Sequence, residues 1–235
     1  MTNSQDAAGT APTSSDAQQG EAQPTLVLVN LGTPTAPEPG PVRAFLREFL
    51  SDRRVIEMSP LLWKPILEGI ILRVRPREVA GKYRSIWMDE GSPLMHYTRE
   101  QARLLGERLP GVRVEVAMRY GQPSIGSVLD RLYAEGVRRV AILPAYPQYA
   151  ASTVATINDA VAQWIGRNRD GFELRLHRSF PAAPAYIEAL ATALERHWER
   201  VGRPNFLTGD RVVVSFHSIP VAMDEAGDPY RAECR

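Results

Sequence analysis

The chain has 235 residues, of which 44% are hydrophobic, and a formal net charge of +1. This length fits one large domain, or one domain and part of another, and the hydrophobic fraction is ordinary for a globular protein. The near-neutral charge, without a long basic tract, argues against a dedicated nucleic-acid-binding protein. The single cysteine, Cys234, excludes a disulfide within the chain and fits a reducing compartment, so we expect a cytoplasmic protein.

Residues 1–24 are small and polar, and they lack the basic start and apolar core of a signal peptide. Such a composition buries too little apolar surface to become ordered, so these residues are predicted to form a disordered N-terminal tail. No stretch of the sequence reaches the roughly 20 consecutive apolar residues that a membrane-spanning helix requires.

From Thr25 onwards, apolar strand patterns alternate with helical patterns. In chain order the pattern predicts strand 25–30, helix 41–50, an apolar helical stretch 59–78, helix 98–109, strand 112–118, helix 123–136, strand 137–143, a helix within 179–202 and strand 211–216. The helix at 98–109 is expected to start at a capping box formed by Thr98 and Gln101. Strands that alternate with helices indicate an α/β fold, with a parallel sheet and right-handed crossovers.

Two common nucleotide sites are absent from the sequence. The segment "NLGTP", Asn30 to Pro34, has one glycine and lacks the Lys-Ser/Thr pair of a phosphate-binding loop. The glycine fingerprint of dinucleotide-binding folds is also missing. A nucleotide-dependent or nicotinamide-dependent enzyme is therefore not predicted.

Polar and aromatic residues follow the predicted strands. If the strands are parallel, these residues meet at one edge of the sheet, which is where α/β folds bind ligands. Aromatic rings beside arginine and histidine suit a flat, largely apolar ligand that carries carboxylates. The candidate residues on this edge are Arg119, Tyr120, Tyr146, Gln148, Tyr149, Ser152, Thr153 and His217.

Several of these residues also fit a structural role. Tyr146 and Tyr149 fit packing residues at a strand end equally well, and Arg119 equally fits a pair with a surface carboxylate. His217 fits a metal ligand, a proton acceptor or a plain polar residue where the strand 211–216 stops. The sequence favours a structural role for His96 over a metal-binding one. No functional role is predicted for His177 and His197, which lie within a predicted strand and a predicted helix, away from this edge.

The last part of the sequence predicts an incomplete unit. A strand as apolar as "VVVSF", Val212 to Phe216, needs neighbours on both sides. A helical pattern starts at Pro229, and no further element follows it. We therefore expect residues 25–178 to form a first α/β unit and residues 179–235 to begin a second unit that this chain does not complete.

Six ordered motifs resemble those of the ferrochelatases, the enzymes that insert ferrous iron into a porphyrin. The motifs are "LVNLGTP" from Leu28, "GSPL" from Gly91, "RYGQP" from Arg119, "YPQYAAST" from Tyr146, "SFHSIP" from Ser215 and "GDPY" from Gly227. They follow the order and similar spacing of that family and cover almost everything from Thr25 onwards. A single motif of this kind would be weak, but the ordered set is specific.

The resemblance implies two flavodoxin-like, chelatase-like units of parallel sheets flanked by helices, with a porphyrin cleft between them. It implies a metal-inserting lyase of haem biosynthesis that inserts Fe²⁺, as a substrate, into protoporphyrin IX to give protohaem, without a permanently bound cofactor. His217 is then the catalytic residue and metal ligand. Leu31, Ser92 and Pro93 join the porphyrin-binding residues. Leu31 stands where some members have an iron-ligating tyrosine, which favours protoporphyrin over coproporphyrin.

The catalytic glutamate of that family has no counterpart in residues 1–235. The resemblance places this partner of His217 beyond the end of the chain, so we expect a fragment and leave the activity of the 235-residue chain open. Two alternatives remain. One is a related cobalt or nickel tetrapyrrole chelatase, and the other is a non-catalytic porphyrin-binding remnant.

The apolar stretch at 59–78 has two interpretations. Its aliphatic residues, flanked by arginines, fit a helix packed in the core. By likeness to the family, residues from about 53 to 77 form an apolar lip over the porphyrin cleft. An apolar patch rimmed by arginines also fits an anionic membrane surface. The predicted partners are therefore protoporphyrin IX, Fe²⁺ and, through the lip, the periphery of a membrane.

Overall fold

A computed structural model describes residues 23–235. The predicted disordered tail, residues 1–24, lies outside the described residues except for its last two. The described chain is built on a sheet of four strands: β1 (Thr25–Gly32), β2 (Arg113–Tyr120), β3 (Arg139–Pro144) and β4 (Glu173–Leu176). Their order is β2-β1-β3-β4, and each neighbouring pair is parallel. The predicted parallel α/β architecture is confirmed.

Helices lie between and after the strands in chain order. They are α1 (Pro39–Leu50), α2 (Pro60–Ile66), α3 (Leu72–Ile86), α4 (Pro93–Arg108), α5 (Ile125–Ala134), α6 (Thr156–Arg167), α7 (Pro184–Val201), α8 (Val221–Glu225) and α9 (Tyr230–Glu233). One π-helical turn, Leu67–Ile71, joins α2 to α3, and another, Ala151–Ala155, leads into α6. Such turns are rare and occur frequently at functional sites.

Helices pack on both faces of the sheet at β1 and β2, as expected for parallel strands, whereas the edge strand β4 is largely exposed. Val27 and Val29 of β1 belong to a core cluster that includes residues of α5 and α6. Trp164 of α6 is 1% exposed in this core, and its indole N–H donates to Asp130 of α5 at 2.7 Å. Leu28 is buried as well, and the alternation of side chains places it on the opposite face, where α4 contacts β1 and β2.

The helix predicted over 98–109 begins five residues earlier, at Pro93. Thr98 is buried inside this helix, where its hydroxyl donates to the Leu94 carbonyl at 2.6 Å and accepts from Asn30 Nδ2 at 3.0 Å. The capping box predicted at Thr98 is therefore wrong. The physical reason is that a threonine hydroxyl can bond back to the carbonyl four residues earlier within a helix, so the residue does not have to stand at the helix start.

The strand predicted over 211–216 is not formed. Residues 211–220 have no regular secondary structure, and Val213 and Val214 are 86% and 72% exposed. Valines favour an extended backbone, but a strand is stable only when its N–H and C=O groups pair with a neighbour. No strand within residues 23–235 pairs with this segment. The prediction that His217 stands at the end of a parallel strand is therefore wrong.

We expect the backbone amides of Val212–Phe216 to exchange with deuterium almost as fast as those of an unfolded peptide, because the segment is exposed and belongs to no sheet. The amides of Val27–Val29, in the central strand β1, provide the control and should exchange far more slowly. Mass-spectrometric exchange on the 235-residue chain measures both segments together. Similar protection of the two segments would show that residues 212–216 are paired.

Candidate functional site

Three neighbouring strands end at one edge of the sheet, and predicted site residues lie at each end. Arg119 and Tyr120 are the last two residues of β2, and Leu31 is the last but one of β1. Tyr146 follows the end of β3 by two residues. Because β1, β2 and β3 are parallel, the structure brings these four residues to the same edge, as the sequence predicts. Their role in binding remains a prediction.

Gly32 allows β1 and β2 to lie close together at this edge. Its φ is +112°, and a Cβ atom added to it would lie 1.8 Å from the carbonyl oxygen of Tyr120. Only glycine adopts this conformation without strain, and only glycine leaves room for the neighbouring backbone. The glycine of "NLGTP" therefore serves the packing of the strand ends.

Arg119 and Tyr120 both bind one carboxylate that the sequence analysis missed. Asp52, two residues after α1, accepts a hydrogen bond from Arg119 Nη2 at 2.5 Å and one from the Tyr120 hydroxyl at 2.8 Å. The side chains of Arg119 and Asp52 are 18% and 9% exposed, so this ion pair is shielded from water. Arg119 thus pairs with a carboxylate of the protein, but a buried one. Because 67 residues separate the two, no local motif indicates the contact.

Buried polar atoms without a partner occur at all three strand ends. Arg119 Nε, Thr33 Oγ1 and the Tyr146 hydroxyl are buried and have no hydrogen-bond partner among the described residues. Thr33 directly follows β1, so the three atoms lie at the ends of three adjacent strands. Buried polar groups are nearly always hydrogen-bonded, and such a set therefore indicates a place where a ligand or a water molecule completes the bonds.

Burial affects the two tyrosines at this edge in the same direction. It raises the pKa of the Tyr146 hydroxyl, and the nearby Tyr120 adds to this shift. Burial also raises the pKa of Tyr120, while the cationic Arg119 acts in the opposite direction. Both phenols therefore stay protonated at neutral pH and remain able to donate a hydrogen bond.

The segment after β3 contains the other predicted binding residues. Gln148 and Tyr149 are half-buried in the loop, and Ser152 and Thr153 lie in the π-helical turn Ala151–Ala155. The Thr153 hydroxyl donates to the Ala150 carbonyl at 3.3 Å, so it contributes to the turn itself. The sequence predicts this loop but gives no signal for the π-helical turn.

The last residues of the chain pack on this loop. Tyr149 N–H donates to Glu233 of α9 at 2.8 Å, and Ala151 N–H donates to Asp228 at 2.7 Å. Arg178 donates to the other oxygen of Glu233 at 2.6 Å, and its guanidinium lies 4.8 Å from the centre of the Tyr149 ring. Burial acts to raise the pKa of Glu233, but the bonds from Tyr149 and Arg178 hold it below its usual value. The carboxylate therefore stays ionised and holds α9 against the loop.

Ser92 and Pro93 stand at the beginning of α4. Ser92 is 5% exposed at the N-cap position, and Pro93 is the first helical residue. The hydrogen bond between Asn30 and Thr98 holds this helix beside the end of β1. Both residues therefore belong to the helix that flanks the strand edge.

His217 is exposed, and its Nδ1 lies 2.6 Å from the Ser218 carbonyl oxygen. Its backbone lies near the Tyr230 hydroxyl, at the start of α9. Within residues 23–235, no group of three or more His, Cys, Asp and Glu side chains is arranged to hold a metal ion. The metal-binding role of His217 remains a prediction.

His177 is predicted to lie inside a strand and away from the functional edge, and this is wrong. β4 is only four residues long and ends at Leu176, so His177 is the first residue beyond it at the carboxyl edge. Its N–H donates to the Ile142 carbonyl of β3 at 3.0 Å.

Half of the large apolar side chains in the predicted lip, residues 53–77, are exposed. The buried ones include Leu67, Leu72 and Pro76, whereas six others present apolar surface: Met58, Leu61, Leu62, Ile66, Ile70 and Val74. A helix packed wholly in the core does not fit this pattern. The lip begins directly after Asp52, beside the strand edge. No helix in the described part of the chain has the length and apolar character to cross a membrane.

Comparison with known proteins identifies the family. The ferrochelatase family model matches residues 23–235. The chain belongs to the ferrochelatase family. It is 49% identical to the ferrochelatase of Methylibium petroleiphilum over 214 residues, which are 89% of this chain and 58% of that protein. It is 46% identical to ferrochelatase 1 of Shewanella oneidensis, covering 89% of this chain and 63% of that protein.

A third relative gives a similar result. The ferrochelatase of Azoarcus sp. is 49% identical over 89% of this chain and 57% of its own length. The chain therefore spans about three fifths of the length of these curated ferrochelatases. The fold class and the family expected from the sequence are both confirmed.

We expect Gly32→Ala to lower the free energy of unfolding by at least about 2 kcal/mol, because the added methyl group meets backbone in a strained conformation. Gly166→Ala is the matched control, since Gly166 is exposed in α6 and an added Cβ meets nothing within 4 Å. Urea unfolding of both variants provides the measurement. Equal stability of the two variants would contradict the close approach of β1 and β2.

Proposed function

We propose that the chain functions in ferrochelatase chemistry, the insertion of Fe²⁺ into protoporphyrin IX to give protohaem. The family match over residues 23–235 carries this proposal. The buried unpaired atoms at the ends of β1, β2 and β3 support it, because they mark one edge as a ligand site. Fe²⁺ is a substrate in this reaction, and the proposal includes no resident cofactor.

The porphyrin would lie against the strand edge and the loop after β3. Tyr149 would offer aromatic surface to a flat ring, and Tyr146, which packs against the core cluster, would contribute its unpaired hydroxyl. Asp52 already compensates the charge of Arg119, so the guanidinium is not available to form an ion pair with a porphyrin carboxylate. Its Nε–H is a buried donor without a partner. Apolar contact, rather than ion pairing, would therefore supply most of the affinity.

Insertion of Fe²⁺ releases two protons from the pyrrole N–H groups of the porphyrin, so the site needs a proton acceptor near the macrocycle. An imidazole changes protonation near neutral pH, and we assign this role to His217. The Ser218 carbonyl can only accept a hydrogen bond, so its contact with Nδ1 requires that Nδ1 carry the proton. The lone pair of Nε2 is then free to take a pyrrole proton or to bind the incoming metal.

The membrane contact of the lip is a second part of the proposal. The exposed apolar residues of α2, the π-helical turn and α3 lie beside several arginines, which are Arg53, Arg73, Arg75 and Arg77. Apolar side chains that enter the interface, together with arginines that attract anionic headgroups, bind a membrane from one side without crossing it. A lip of this kind would bring the site close to the apolar interior of the membrane, in which hydrophobic porphyrins dissolve.

We expect the 235-residue chain to bind protoporphyrin IX, and His217→Ala to abolish haem formation while leaving porphyrin affinity within about twofold, because one imidazole supplies little apolar contact. Anaerobic assays with Fe²⁺ measure haem by absorbance, and porphyrin fluorescence titration measures affinity. His197→Ala, on α7, is the control and should behave like the wild type.

Other outcomes separate the alternatives. Porphyrin binding without turnover by the wild-type chain would favour the non-catalytic binding protein, in keeping with the three fifths of the relatives' length that it spans. Turnover with Co²⁺ or Ni²⁺ and a different tetrapyrrole, but not with Fe²⁺ and protoporphyrin, would favour the related chelatase. Unchanged turnover in His217→Ala would refute the role of this histidine.

For the lip, we expect the double variant L61D/L62D to reduce binding to vesicles that contain anionic lipid by at least about tenfold, because it places two charges in the apolar contact surface. The matched control is I187D/L190D, which alters two exposed apolar residues of α7. Co-sedimentation at two salt concentrations provides the measurement. Equal losses in both variants would show that the lip is not the contact surface.

A further inference from the structure

A single buried carboxylate joins the end of β2 to the start of the apolar lip. Asp52 Oδ2 accepts hydrogen bonds from Arg119 Nη2 and from the Tyr120 hydroxyl, and its Oδ1 accepts one from the Arg54 N–H at 2.8 Å. Its backbone carbonyl also accepts from the N–H groups of the turn that follows, at Val55 and Ile56. One residue therefore organises both the strand end and the first turn of the lip.

We propose that Asp52 is a positioning residue that holds Arg119 and Tyr120 in the arrangement that receives the porphyrin. This inference rests on the proposed function for its ligand, but the pairing itself stands on the geometry. Asp52 does not have to touch the porphyrin in this role. It acts through Arg119, because its carboxylate binds Nη2 of the guanidinium and leaves the Nε–H available to the porphyrin.

The burial of the group explains why one side chain has this effect. A carboxylate that is 9% exposed is unfavourable unless a charge and hydrogen bonds compensate it, and Arg119 and Tyr120 supply both. The dependence is mutual. Without Asp52, the 18% exposed guanidinium of Arg119 would lose its counter-charge, and the fully buried Tyr120 would lose the acceptor of its phenol. Both side chains would then have to move.

Neighbouring contacts hold the same region from two other directions. Arg54 forms a two-point ion pair with Asp159 of α6, with N···O distances of 2.5 and 3.0 Å. Glu48, one turn before Asp52, accepts from the Gly121 N–H at 2.8 Å. The Arg54 and Asp159 side chains are about half exposed, so this pair contributes less than the shielded pair of Asp52 and Arg119. Asp52 is therefore the contact on which the arrangement depends most.

The test compares Asp52→Asn with Glu57→Gln, an equivalent change at an exposed carboxylate in the same segment. The first readout needs no porphyrin. It is the rate at which phenylglyoxal modifies Arg119, followed by peptide mass spectrometry. We expect Asp52→Asn to raise this rate about fivefold, because the guanidinium is no longer held by a buried carboxylate, and Glu57→Gln to leave it unchanged.

The second readout is protoporphyrin affinity, measured by fluorescence titration. We expect Asp52→Asn to weaken it about tenfold, because Arg119 no longer presents its Nε–H in a fixed position. An asparagine amide oxygen can still accept from the Tyr120 hydroxyl but carries no charge to pair with Arg119, so the double variant D52N/R119Q should bind no more weakly than Arg119→Gln alone. The double variant also removes the Arg119 charge that Asp52→Asn leaves without a counter-charge. If Asp52→Asn alone fails to fold, the double variant can therefore still be measured.

The outcomes decide between the two proposals. Unchanged Arg119 reactivity and affinity in Asp52→Asn, or additive losses in the double variant, would overturn the positioning role. If the wild-type chain binds no porphyrin, the proposed function is overturned, and the Arg119 modification rate alone then decides whether Asp52 positions this arginine.

Discussion

The pairing of β1 with β2 on one side and β3 on the other is the constraint on which the site depends. All three strands run in the same direction, so their carboxyl ends meet at one edge. Gly32 allows the closest part of this contact, against the backbone of Tyr120. Without that parallel arrangement, Thr33, Arg119 and Tyr146 would not contribute buried, unpaired polar atoms to one edge of the sheet.

The chemistry of this edge differs from a simple electrostatic trap for an anionic ligand. Arg119 is neutralised by Asp52, and both phenols nearby stay protonated. The surface therefore combines aromatic area with a few hydrogen-bond donors, and the one positive charge among them is paired within the protein. Such a surface suits a flat apolar ring better than a compact anion. In the proposed reaction, binding and proton transfer are carried by different parts of the chain, because His217 lies outside the sheet and is close to α9.

The sequence predicts the features that depend on local pattern. Alternating apolar residues locate β1, β2 and β3, and the parallel arrangement then follows from the helices between them. Contacts between distant residues were not predictable in this way. Asp52 meets Arg119 across 67 positions, and no spacing rule connects them. The valines at 212–214 show a second limit of prediction from local pattern. They favour a strand, but strand propensity does not produce a strand unless another strand pairs with it. The early start of α4 was missed because Thr98 resembles a cap in sequence while it bonds back within the helix.

In the proposed function, the carboxyl edge of the sheet binds the porphyrin. Hydrogen–deuterium exchange of the chain, with and without protoporphyrin IX, tests it most directly because it locates the contact along the chain. We expect slower exchange in 30–34, 119–122 and 145–153 and no change in α5, which lies against the core. Protection confined to α7 or to residues 203–216, with no change at the three strand ends, would contradict it.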